Sequence, residues 1–209
     1  MTSWHAITSL GDSALLLPLV AWITIWLSWR PPRWHDVARW LVAVALCGGG
    51  VAVSKLLFMA WAIGPPGLDY TGFSGHTALS LLAWPSLACL LASGRSSRGQ
   101  AIAAFAGGLV GACVGMSRLA LKVHSPSEVW MGAALGVAVA AWFLHGLIQS
   151  RPVRSDRSTW RIAVLGGVAL AIGVLCYGRV FPSQYMLKEL ALWMSGHSSV
   201  FTRRGDPGA

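Results

Sequence analysis

The 209-residue chain is hydrophobic at 55% of its positions and charged at only 11%, and its mean hydropathy is +0.60. A soluble domain carries about 25% charged residues because its surface must be hydrated, so this composition excludes a soluble protein and indicates a membrane protein. The net charge of +9 does not indicate nucleic-acid binding, because nine of the sixteen basic residues cluster in short segments, as in cytoplasmic loops. These residues are Arg30, Arg33, Arg39, Arg95, Arg98, Arg151, Arg154, Arg157 and Arg161.

Six apolar segments follow one another along the chain, each close to the roughly 20 residues that a helix needs to cross a bilayer. They cover residues 13–29, 40–63, 76–92, 101–116, 126–149 and 162–180. We therefore predict an all-α fold, a single polytopic bundle of about six transmembrane helices within residues 1–181. Residues 182–209 are predicted to form an interfacial segment, with a short helix at 185–194 and a disordered end at 202–209.

The arginine-rich loops predict an orientation for this bundle. If they lie in the cytoplasm, the connections 63–75 and 117–127 lie together on the outer side, as do both termini. The short single-bundle form is typical of bacteria. We therefore expect an inner-membrane protein whose outer connections face the periplasm or exterior.

Glycines recur every four residues on two of the predicted spans. Gly107, Gly111 and Gly115 lie on the fourth span, and Gly132 and Gly136 lie on the fifth. Glycines at this spacing let helix backbones approach closely. The pattern predicts tight packing of both spans against a neighbouring helix.

A set of polar residues lies on or beside the two outer connections. Charges within membrane segments are costly and are functional candidates, although Lys55 alone is as readily explained by snorkelling, and a lone histidine by a structural role. Their convergence on one side of the membrane favours a common pocket. The candidates are Lys55, Ser74, Gly75, His76, Arg118, Lys122, His124 and Glu128.

These residue types suit phosphate chemistry. Lysine and arginine neutralise a phosphate dianion, and Gly75 at a helix N-terminus lets backbone N–H groups approach an anion. His124 and Glu128 are four residues apart, so on a helix they share a face, and a carboxylate bound to one ring nitrogen leaves the other free as a nucleophile. His76 is a candidate proton donor to the leaving group.

Two short motifs occur in order on the predicted outer side. The earlier reads FSGH and covers residues 73–76, and the later reads SRLALKVHSPSE and covers residues 117–128. They resemble the type 2 phosphatidic acid phosphatases, which share a fold with the vanadium haloperoxidases and carry the pattern K-x6-RP, PSGH and SR-x5-H-x3-D. The second motif lacks only its proline, and the third has the family's spacing but ends in Glu128 instead of aspartate.

The first motif of the pattern is degraded, and the resemblance covers residues 55–136. Lys55 is present, but Ala62 and Ile63 stand where the family has arginine and proline. The loss of one charged phosphate contact costs about 1.5–3 kcal/mol. Lys122 is our hypothesis for a partial replacement, and the alternative is a solvated loop lysine.

The resemblance also implies a role for each candidate. His124 would be the nucleophile that forms a phosphohistidine, His76 would protonate the leaving group, and Glu128 would orient His124. The phosphate would be held by Lys55, Ser74, Gly75 and Arg118. Such enzymes use no metal or other cofactor.

Family members usually have three spans before the first motif, and here only two precede it. Either residues 2–10 take part of the place of the missing helix at the interface, or both termini lie outside.

The predicted function is that of a membrane-bound lipid-phosphate or lipid-diphosphate phosphatase. Candidate substrates are isoprenoid diphosphates, phosphatidylglycerol phosphate, phosphatidic acid and lipid A phosphates, among which the sequence does not select. A phosphotransferase that moves phosphate between lipids would need the same residues. A catalytically degenerate lipid-binding protein is the third alternative, and the sequence gives no oligomeric state.

Overall fold

The computed structural model describes residues 3–29, 34–149 and 159–203, and within these ranges the secondary structure consists of eight α-helices without strands. The predicted all-α fold is therefore confirmed, and the six predicted spans correspond to α2–α7. The helices are α1 (Ser3–Ser9), α2 (Ser13–Ser28), α3 (Trp34–Trp61), α4 (Gly75–Leu91), α5 (Ser97–Ala120), α6 (Pro126–Gln149), α7 (Thr159–Cys176) and α8 (Ser183–Ser195).

The outer surface of the bundle is that of an integral membrane protein. Within the described ranges, five helical stretches are long and apolar enough to cross a bilayer, α1 and α2 together counting as one. Helix α4 is also apolar but has 17 residues, which gives a length of about 26 Å against about 30 Å for a hydrocarbon core. Large apolar side chains face outwards with about 70% exposure, as lipid contact requires. Examples are Ile102, Phe105, Leu170 and Val174.

Helix α4 lies at the centre, and both glycine-bearing helices pack against it. A Cβ atom placed on Gly107 of α5 would lie 2.5 Å from the carbonyl oxygen of Trp84, and one on Gly136 of α6 would lie 2.6 Å from that of Ala78. No side chain fits at such distances, so the predicted close approach of both helices is confirmed. This packing fixes the start of α4 relative to the end of α5 and the start of α6.

The terminal segments lie at the same end of the bundle as the start of α4. Helix α1 packs against α5, and α8, which matches the helix predicted at 185–194, packs against α3. Whether α1 takes part of the place of a missing helix stays a prediction. The chain after α8 returns to α3, where the Phe201 amide donates to the Met59 carbonyl at 2.9 Å.

Two sequence expectations fall partly outside the described ranges. Thr202 and Arg203 were expected to be disordered, but the structure describes them, whereas 204–209 lie outside the described residues. Five loop arginines, at positions 30, 33, 151, 154 and 157, also lie outside the described residues. Arg95 and Arg98 flank the α4–α5 connection, at the end of α4 opposite His76. The cytoplasmic location of these loops stays a prediction.

Candidate active site

The two motifs meet where α4 and α6 begin. The Ser74 amide donates to the Glu128 carbonyl at 3.0 Å, and a Cβ on Gly132 would lie 2.7 Å from the Ser74 carbonyl oxygen. The connection before α4 also lies against α3, because Gly72, with φ +124°, leaves no room for a Cβ beside the backbone of Lys55. The expected convergence of the two motifs and Lys55 at one end of the bundle is therefore observed.

His124 and Glu128 form a short, buried pair. The distance from His124 Nδ1 to Glu128 Oε2 is 2.6 Å, and the side chains are 8% and 0% exposed. The Ser125 amide donates to the same oxygen at 3.0 Å. A carboxylate at this position holds the proton on Nδ1 and leaves the lone pair on Nε2.

Glu128 is one methylene longer than the family's aspartate, and it is held by its second oxygen as well. Thr71 donates both its amide and its hydroxyl to Oε1, at 2.7 and 2.5 Å. Thr71 was not anticipated from the sequence, because nothing in the motif spacing links it to a residue 57 positions later.

The charge state of His124 suits a nucleophile. Burial lowers the pKa of the His124 imidazole below its ordinary value of 6.5, and the positive charges of Lys55 and Arg118 act in the same direction against the hydrogen bond and charge of Glu128. Since the neutral ring carries the free lone pair, His124 is in its nucleophilic form at neutral pH.

A cavity of about 1280 Å³ has Lys55, Gly75, His76 and Arg118 in its lining but neither His124 nor Glu128. The charges of Lys55 and Arg118 nevertheless act on the His124 ring. The Arg118 Nη1 donates to Thr8 Oγ1 at 2.8 Å, whereas Arg118 Nε is buried and has no hydrogen-bond partner among the described residues. A buried charged donor without an acceptor is costly. An anion bound in the cavity would provide that acceptor.

His76 faces an acidic residue that the motifs do not include. Its Nε2 lies 3.7 Å from Asp12 Oδ2, while Asp12 Oδ1 accepts the Ala14 amide at 2.8 Å and so caps α2. Gly11 packs against His76, since a Cβ there would lie 3.3 Å from His76 Cβ. The N-terminal segment thus forms one wall of the site. A cap before α2 was the only available sequence signal for Asp12.

Two predicted phosphate-binding residues lie outside the cavity wall. The Ser74 side chain is fully buried, with its hydroxyl 2.9 Å from Thr77 Oγ1. Lys122 is exposed, and its φ of +53° places it in the left-handed turn that ends α5. Their phosphate-binding roles stay predictions, and for Lys122 the position is that of a helix-capping residue.

Arg203 reaches this site from the segment after α8. Its Nη2 donates to Glu128 Oε2 at 2.9 Å, and its Nη1 donates to Asp69 Oδ2 at 3.0 Å. This contact was not predicted from the sequence, because a single arginine after α8 belongs to no motif.

The arrangement has the groups that phosphate transfer requires. They are a buried histidine–carboxylate pair, and a second histidine and two cations that line the cavity. Residues 24–152 match the family model described as PAP2 superfamily. The chain is also 37% identical over 205 residues to a Klebsiella pneumoniae protein described as "Uncharacterized 22.5 kDa protein in cps region", with 96% of each chain covered. No solved structure matches.

The chain belongs to the PAP2 superfamily. The resemblance of the two motifs to this family is therefore confirmed. Since the superfamily consists generally of phosphatases, the membership supports a phosphoester hydrolase.

Proposed function

We propose that the protein is a metal-independent lipid-phosphate or lipid-diphosphate phosphatase that works through a phosphohistidine on His124. The observation that supports this most directly is the 2.6 Å bond between His124 Nδ1 and Glu128. It leaves Nε2 as the nucleophilic nitrogen. Lys55 and Arg118, which line the adjacent cavity, would bind the phosphate.

The reaction has two steps. His124 Nε2 attacks phosphorus and forms a P–N bond, while the bond from phosphorus to the leaving oxygen breaks and His76 gives that oxygen a proton. A water molecule then attacks phosphorus, His76 accepts a proton from this water, and the P–N bond breaks. The products are the dephosphorylated lipid and inorganic phosphate, and both histidines return to their starting states.

The cavity walls support a lipid substrate. The lining includes Lys55, His76 and Arg118 together with apolar side chains of α2 and α8, such as Leu17 and Leu187. A phosphate headgroup would bind beside the two cations, and its hydrocarbon chains would contact the apolar side chains. Arg95 and Arg98 lie at the end of the bundle opposite His76. Because arginine-rich loops lie in the cytoplasm, we assign the site to the outer face of a bacterial inner membrane.

The test is phosphate release from a panel of phosphatidic acid, phosphatidylglycerol phosphate, lipid A and isoprenoid diphosphates, with a metal chelator present. We expect the parent protein to release phosphate from at least one member, and His124→Ala to lose about 10³-fold or more of this activity, since the nucleophile is removed. Acid quenching with ³²P-labelled substrate should trap an acid-labile phosphoenzyme in the parent only.

Exposed Lys188 on α8 provides the control. It is not among the residues that line the cavity, so Lys188→Ala should retain full activity. Equal release by the parent and His124→Ala would refute the phosphohistidine mechanism. Appearance of the phosphate on a second lipid instead of in solution would identify a phosphotransferase, and no activity towards any member would favour a degenerate lipid-binding protein.

A further inference from the structure

The environment of Glu128 differs from what the family motif alone specifies. Its carboxylate is fully buried and accepts five hydrogen bonds: two from Thr71, and one each from His124, Ser125 and Arg203. A buried carboxylate is stabilised only when it is paired and hydrogen-bonded. Among the described residues, Arg203 is the permanent cation that bonds directly to it.

Arg203 is held at this position by contacts on two sides. Its Nη1 binds Asp69, whose carbonyl oxygen accepts the hydroxyls of Ser125 and Ser127 at 2.5 Å each. Upstream, the Phe201 amide is bonded to the end of α3. The guanidinium therefore connects the segment after α8 with the connection before α4 and with the carboxylate on α6.

The length of the Glu128 side chain explains why its contact with Arg203 matters. Glutamate has one more rotatable bond than aspartate, so its carboxylate needs additional partners to stay at a fixed position. Thr71 fixes one oxygen, and Arg203 fixes the oxygen that also binds His124. Both terminal nitrogens of Arg203 donate to carboxylates of the protein itself, so we do not assign Arg203 the place of the missing phosphate-binding arginine.

We propose that Arg203 is a positioning residue for the nucleophile His124, acting through the Glu128 carboxylate that it shares with the imidazole. The proposal rests on the proposed function. Arg203 holds Glu128 in the orientation that the His124 ring requires, and its positive charge limits how strongly the carboxylate attracts a proton to that ring. The segment after α8 is then part of the catalytic unit.

The charge effect has a definite direction. The charged or titratable groups that act on His124 are Glu128, Lys55, Arg118 and His76. Arg203 pairs with Glu128 and also with Asp69. Removing the charge of Arg203 leaves Glu128 more negative towards the ring. The pKa of His124 then rises, and the acid limb of the pH–rate profile moves to higher pH.

The experiment compares Arg203→Gln and Arg203→Lys with the parent in the full-length protein, using a substrate from the lipid panel. Arg203→Gln should lower kcat by about 10-fold or more, as expected for the loss of a charge-assisted hydrogen bond, with KM within about twofold because Arg203 does not contact the cavity. Its acid limb should move to higher pH, and Arg203→Lys should restore part of both effects. Lys188→Ala, which removes an exposed charge, is the matched control and should change neither.

A double variant tests whether Arg203 acts on His124 through Glu128. In Glu128→Asp the shorter carboxylate moves away from Arg203, so adding Arg203→Gln should reduce kcat much less than it does in the parent. The proposal would be overturned if Arg203→Gln lowered kcat equally in both backgrounds. It would also be overturned if Arg203→Gln matched Lys188→Ala in kcat and in the acid limb of its pH–rate profile.

One measurement is independent of catalysis. The titration of the His124 imidazole, followed by NMR of ¹⁵N-histidine protein in micelles, should shift to higher pH in Arg203→Gln and not in Lys188→Ala. A parent protein without phosphatase activity would refute the proposed function, while this titration still decides the Arg203 contact. If Arg203→Gln does not fold, the same titration on Arg203→Met, which also removes the charge, decides it, and an unshifted curve there would overturn the proposal.

Discussion

At the scale of single residues, the His124–Glu128 pair determines how the reaction should depend on pH. The pKa of His124 lies below its ordinary 6.5, first because the ring is buried and also because Lys55 and Arg118 are nearby. Protonation removes the nucleophilic lone pair. The rate of phosphoenzyme formation should therefore be constant at neutral pH and fall only when the pH drops through this lowered pKa.

Single-turnover kinetics between pH 4 and pH 8 measure this limb directly. We expect its midpoint below pH 6.5. In Glu128→Gln the midpoint should move lower still, because the carboxylate charge that favours the imidazolium is lost, and the maximal rate should fall with the orienting bond. A midpoint at or above 6.5 in the parent would contradict the burial of His124.

The motifs predicted which residues meet at the candidate site, but only for residues that belong to a motif. Lys55, His76 and Arg118 come from three different helices and line one cavity, as the motif pattern led us to expect. The contact of Thr8 with Arg118 joins positions 110 apart, and that of Arg203 with Asp69 joins positions 134 apart. No local periodicity encodes such contacts, since they depend on where the terminal segments fold back.

At the scale of secondary-structure elements, the end of α5 explains the position of Lys122. The Val123 amide donates to the Arg118 carbonyl at 3.2 Å, and the Lys122 amide donates to that of Leu119 at 2.9 Å. Together with the positive φ of Lys122, these bonds form a Schellman motif, which normally has glycine at this position. The turn places His124 directly after the helix.

This geometry predicts the behaviour of Lys122→Gly. Glycine adopts the left-handed conformation without the steric cost of about 1 kcal/mol that a side chain carries there. The variant should therefore be as stable as the parent or more stable in thermal unfolding, with KM unchanged. Lys122→Ala keeps the steric cost and serves as the matched charge control. A large rise in KM in both variants would instead support phosphate binding by Lys122.

Element boundaries were predicted well where composition changes abruptly and less well elsewhere. Helix α6 has the predicted bounds. Proline at its first position marks the start of the helix, and the polar residues that follow Gln149 mark its end. Helix α3 begins at Trp34, six residues before the predicted start at 40. Its first turns hold the buried Asp36 and the exposed Arg39, and hydropathy alone does not reveal a helix that continues through such residues.

At the scale of the whole molecule, the central position of α4 is what brings the motifs together. Helix α4 contacts both α5 and α6, and each contact includes closely packed glycines. The same packing that stabilises the bundle places His76 near His124. Stability and catalysis are therefore expected to fail together when the space at either set of glycines is filled.

Gly136→Val tests this coupling. A Cβ at position 136 would lie 2.6 Å from the Ala78 carbonyl oxygen and 3.0 Å from Ala78 Cα, both backbone atoms that cannot rotate away. Helices α4 and α6 must then separate, and overpacking of this kind costs about 1–3 kcal/mol. We expect a lower thermal unfolding temperature in detergent and a larger fractional loss of kcat than of folded protein, since Ser74 and Glu128 bond across the same interface.

Gly108→Val is the matched control, because a Cβ at Gly108 meets no atom within 4 Å although it lies beside Gly107 on α5. It makes the same substitution in a transmembrane glycine without filling a helix contact, and should leave both the unfolding temperature and kcat close to those of the parent. If the two variants were equally stable and equally active, α6 would not depend on close contact with α4. The alignment of His76 with His124 would then need another cause, such as the carboxylate network around Glu128.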